Sequence, residues 1–65
     1  MNIISYAHSQ IGNGLLSDMQ EFCPNPSAKD VAQMVVEQGF NQGDITEAPS
    51  KSEMKDLVQA MKYYV

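Results

Sequence analysis

Apolar residues recur along this chain at spacings of three and four, the period of a helix face. In the first stretch Ile4, Ala7, His8, Ile11, Leu15, Met19 and Phe22 share that phase, which predicts helix over about residues 3–22. Gly12-Asn13-Gly14 interrupts it. Each glycine costs about 1 kcal/mol against alanine inside a helix. The segment is therefore one weakened helix or two pieces turned at Asn13-Gly14, and the continuous phase favours the single helix. A strand is the alternative for the opening residues, because Ile4, Tyr6 and His8 alternate. Cys23-Pro24-Asn25-Pro26 must end the segment, since proline blocks the helical ladder and restricts the residue before it.

A second helix is expected over 27–38. Ser27 suits an N-cap, and Asp30 suits the positive end of the helix dipole. Gly39 stands where a left-handed C-terminal cap is usual. Ala28, Val31, Ala32, Met34, Val35 and Val36 cover about half of the helix circumference. An apolar arc that wide needs cover from two sides, which places this helix at the centre of the domain, with Val35 and Met34 as its buried heart.

A third helix is expected over 51–64. Ser50 and Glu53 have the spacing of a capping box, and Met54, Leu57, Val58, Met61 and Tyr64 form its apolar stripe. In the intervening loop Phe40 and Ile45 are the expected anchors, while Asp44 and Glu47 could begin one turn of helix before Pro49 stops it. The pattern as a whole predicts a single small all-α domain of three helices spanning residues 1–65.

Length bounds what such a domain can do. A chain of 65 residues and 7.2 kDa buries only about 60% of the surface that its unfolded form exposes. That leaves little room for a preorganised catalytic cavity and its supporting residues. His8 is the one histidine; it could act as a base or a metal ligand, but beside Ile4 and Ile11 it reads as a partly buried core residue, with no HxxE or HxxxH partner. Cys23 is the one cysteine; it precedes Pro24 in a turn and not at a helix N-terminus that would activate it, so it reads as a half-buried apolar residue. Gly12-Asn13-Gly14 lacks the Lys-Ser/Thr of a phosphate-binding loop. An enzyme, a cofactor and a metal site are accordingly not expected.

Charge narrows the choice further. Eight acids stand against four lysines, for a net charge of −4, and arginine is missing. That disfavours nucleic acid, since base readout leans on arginine and backbone binding on many cations. The spacing between the second and third helices also exceeds the three- or four-residue turn of a helix-turn-helix. Residues 1–50 carry one lysine and six acids, whereas 51–65 carry three lysines and two acids. On the third helix Lys51, Lys55 and Lys62 fall within about 40° of one another, beside Val58 and Val65. They form either a docking edge or solvated heads whose stems flank the core. The longest apolar runs fall short of the ~18–20 residues of a membrane span, and the opening residues lack the basic start of a secretory signal. With a lone cysteine, a reducing, cytoplasmic setting is the simplest expectation.

By elimination, the sequence reads as a small acidic protein-interaction module. One version is an inhibitor or modulator of a larger protein, of the kind that phage and mobile elements supply. Lys51, Lys55, Lys62 and Val58, with Asp44 and Glu47 from the loop, are its candidate contact residues. The other version is an accessory subunit or homodimer that packs an apolar edge into an assembly.

Overall fold

A computed structural model describes residues 2–65. Four α-helices and a terminal 3₁₀ turn follow in order: α1 Ile3–Gly12, α2 Leu15–Gln20, α3 Ala28–Gln42, α4 Lys51–Met61, and the turn Lys62–Tyr64. Among the described residues there is no strand, so the alternation of Ile4, Tyr6 and His8 is a helical one.

The first segment is two helices rather than one. Asn2 caps α1, its side-chain oxygen accepting hydrogen bonds from the backbone N–H groups of Ile4 and Ser5 at 2.9 and 3.2 Å. Gly14 then takes φ +105°, a left-handed conformation open to glycine, and turns the chain before α2 starts. The bend takes Phe22 out of the phase of α1. Ala7 and Met19 are buried and Ile4, Ile11 and Leu15 are half-buried, but His8 and Phe22 face solvent.

Helix α3 begins where expected and ends later. Ser27 and Asp30 form a reciprocal capping box, each side chain accepting from the other residue's backbone N–H at 3.1 Å. Those hydrogen bonds, first the one from the Ser27 backbone, hold the Asp30 carboxyl below its usual pKa. Ser50 and Glu53 repeat the arrangement at α4, at 3.0 and 3.1 Å, and lower the Glu53 carboxyl in the same way. The C-terminal cap of α3 is Gly43 at φ +78°, not Gly39. Gly43 N–H donates to Phe40 O at 3.1 Å and Asp44 N–H to Gly39 O at 2.9 Å, the pair of bonds of a Schellman ending. Gly39 stays inside the helix because its missing side chain is needed for packing. A Cβ there would lie 2.6 Å from Ile45 Cγ1 and 3.2 Å from Ile45 Cβ. Ile45 fills that notch and is buried, while Phe40, the other expected anchor, is exposed. The loop from Asp44 to Pro49 contains no helical turn; Ile45 N–H donates instead to Gly39 O at 3.0 Å.

The core is aliphatic: Ala7, Met19, Ala28, Val31, Ala32, Val35, Leu57 and Met61, with Ile45 alongside. Helix α3 supplies half of that cluster, in keeping with its expected central role, and α4 packs against both α3 and α1. The last helix is shorter than 51–64, its final three residues tightening into the 3₁₀ turn. Met34, Val36, Met54 and Val58 are only half-buried.

Val35 and Met34 therefore differ in consequence. Val35→Asp buries an unpaired charge, which costs several kcal/mol against a total stability of about 5 kcal/mol, and should leave the chain unfolded by circular dichroism. Met34→Asp, at a half-open position, should still give a cooperative melt. Gly39→Ala should lower the melting temperature, because overpacking of about 1–3 kcal/mol exceeds the ~1 kcal/mol that alanine gains in a helix. A melt equal to that of the parent would show that Ile45 does not need the notch.

Candidate functional site

A concavity lies between α2 and α3. Its position follows from the break at Gly14, which sets α2 at a new angle, and from the short chain through Pro24 and Pro26 that leads into α3. Met19 points inward and is buried, while Phe22, just past the end of α2, points out. On the facing side α3 presents Met34, Glu37, Gln38 and Gln42.

The result is an open groove of about 430 Å³. Leu15, Met19, Phe22 and Met34 give it an apolar lining. Its two ionisable side chains, Asp18 and Glu37, are both acids and both exposed. Side-chain amides from Gln10, Asn13, Gln38 and Gln42 complete the rim. The Gln38 Nε2–H donates to Met34 Sδ at 3.8 Å, which braces the methionine against its own helix. Chemically, such a groove accepts an apolar side chain and favours a cation at its edge.

A second, shallower depression of about 240 Å³ brings Asp44 and Glu47 together with Glu53, around Ile3, Ile45 and Pro49. Asp44 is also engaged within the fold. The Tyr6 O–H donates to Asp44 Oδ2 at 2.9 Å and lies 3.4 Å from Gln42 Oε1, tying α1 to the loop after α3. Loss of solvent around the Tyr6 hydroxyl, then its hydrogen bond to Asp44 and the charge of that carboxylate, raise its pKa above the usual 10.0.

The remaining sequence candidates do not join either concavity. Lys51, Lys55 and Lys62 are exposed along α4 and the turn that follows it, with half-buried Val58 on the same helix. None of these residues lines the groove. His8, expected in the core, is exposed; its Nδ1 is hydrogen-bonded to the Tyr64 hydroxyl, and the two rings meet at a centroid distance of 5.5 Å. The pair links α1 to the terminal 3₁₀ turn. Cys23 is half-buried with a free thiol. Among the described residues no group of three or more His, Cys, Asp or Glu is placed to hold a metal ion, and no helix is long and apolar enough to cross a membrane.

The groove was missed in the sequence. Helical phase alone puts Phe22 on the buried face with Ala7 and Met19, and Met34 on the apolar arc of the second helix. The signal that could have exposed it is Gly12-Asn13-Gly14, read as a turn, which takes Phe22 out of phase with Ala7 and Met19. No protein-family model, curated protein or solved structure matches the chain.

The Tyr6–Asp44 tie has a definite pH sign. A group whose pKa is raised on folding contributes stability below its unfolded-state value and loses it as the pH climbs through the folded-state value. Urea melts should therefore show stability falling above about pH 10, and Tyr6→Phe should flatten that decline. An unchanged alkaline slope in the variant would assign the loss to other groups.

Proposed function

We propose that this protein works by binding a larger protein, as an inhibitor or modulator of its partner. One observation carries the reading: the chain has two phenylalanines, and both lie in solvent while the core is built from smaller aliphatic side chains. Phe22 is 69% exposed and Phe40 43%; Tyr63 at 84% and Val65 at 56% are exposed as well. Burying a phenylalanine contributes about 1.5–3 kcal/mol. A 65-residue domain of marginal stability leaves that contribution unused, and a partner that covers these rings would recover it. The acidic balance of the chain, −4 overall, supports a partner surface of opposite sign, met by electrostatic steering. The alternative, an accessory subunit or homodimer, relies on the same apolar surface without the charge.

Affinity capture compares the two. The tagged chain, Phe22→Ser and Phe40→Ser are each immobilised and exposed to lysate of the cells that make the protein, and bound proteins are identified by mass spectrometry. The expected result is one stoichiometric partner, lost from at least one variant and weakened by salt. Salt-insensitive capture, or a dimeric mass for the free chain in light scattering, would favour the alternative. Identical capture by all three chains would remove the exposed phenylalanines from the account. Reversing Lys51, Lys55 and Lys62 together to Glu reports on the α4 stripe: unchanged capture leaves those lysines as a solvated face.

A further inference from the structure

We infer that the α2–α3 groove is the seat for a cationic amphipathic segment of the partner, one apolar side chain entering beside Phe22 and flanking lysines or arginines meeting Asp18 and Glu37. This inference rests on the protein-binding reading above and narrows it to one face and one partner chemistry.

Three features of the groove converge on that occupant. Its size, about 430 Å³, lies within the ~300–1,000 Å³ of sites that hold a bound group. Its apolar lining combines a thioether and an aromatic ring, Met34 and Phe22, that can adapt to an incoming side chain. Its ionisable groups carry one sign. Asp18 stands on the α2 wall and Glu37 on the α3 wall, so a cation at either edge of the groove meets a carboxylate. A helix laid into such a groove by its apolar face, with basic residues on its shoulders, satisfies all three features. An anionic segment or a nucleic acid backbone would meet repulsion at both walls. The α4 stripe of Lys51, Lys55 and Lys62 has the opposite sign and lies outside the groove, so a second copy of this chain is the competing occupant to be tested.

The test uses the full chain, labelled with ¹⁵N, and two short synthetic helical peptides: one of leucines and lysines, and one with every lysine replaced by glutamate. Backbone amide shifts are followed at 50 and 300 mM salt. The expected result is saturable movement confined to amides around Leu15, Phe22, Met34 and Gln38 with the lysine peptide, weaker at high salt, and no saturation with the glutamate peptide. Asp18→Asn with Glu37→Gln should weaken binding about 2- to 30-fold, the range of two exposed ion pairs. Phe22→Ser should weaken it while the melting temperature stays at that of the parent.

Equal binding of both peptides, shifts centred on α4, or no saturation with either would overturn the cationic occupant. Concentration-dependent shifts of the same groove amides without peptide would assign the groove to a second copy. In each of these cases, partner capture that still depends on Phe22 or Phe40 keeps the protein-binding reading; capture that depends on neither would end it independently of the peptides.

Discussion

The fold depends on one close approach, Ile45 against the bare backbone of Gly39. Helix α3 is long and must hand the chain back towards α1 and α4 within the loop from Gly43 to Ser50. The left-handed Gly43 closes the helix, and the amides of Asp44 and Ile45 both turn back to the Gly39 carbonyl. That hydrogen bonding aims Ile45 at a place where any Cβ would collide with it. With Ile45 seated, Asp44 reaches the Tyr6 hydroxyl, and Ser50 and Glu53 start α4 in register with the core. The loop thus becomes a further attachment between the helices, beside their direct packing.

The rest of the architecture is economical in size. Alanines and valines dominate the buried face of α3, so the neighbouring helices can come close, and the molecule measures 28 × 23 × 16 Å. The fully buried side chains are aliphatic, while Tyr6 and Tyr64 pack against them from the outside. The phenylalanines, and Tyr63 near the chain end, are exposed. The two polar ties of α1, Tyr6 to Asp44 and His8 to Tyr64, lie at the rim of this core.

Much of this was legible in the chain itself. Ser27 with Asp30 and Ser50 with Glu53 mark the helix starts in the sequence itself, because capping is local: both partners lie within three residues, and their geometry needs nothing from the remainder of the fold. The all-α class and the rich apolar arc of α3 followed from periodicity for the same reason. The candidate site was less legible. Asp44 and Glu47 do come together at one depression, and Lys51, Lys55 and Lys62 are each exposed, but the groove beside Phe22 involves residues that are distant in the chain and whose exposure no local pattern sets.

What the sequence determined alone, then, was where hydrogen-bonded turns begin and which residues are apolar on one side of each turn. Tertiary structure decided the rest. Gly39 and Gly43 are equally good caps locally, and packing of Ile45 chose between them; Gly12-Asn13-Gly14 permits a bend or a strained helix, and the need to bring Met19 onto the core chose the bend. Phe22, Phe40 and His8 look like core residues in a linear pattern, yet a small core fills before it reaches them. Burial is a competition among all apolar groups for a limited interior, and its outcome is a property of the whole molecule.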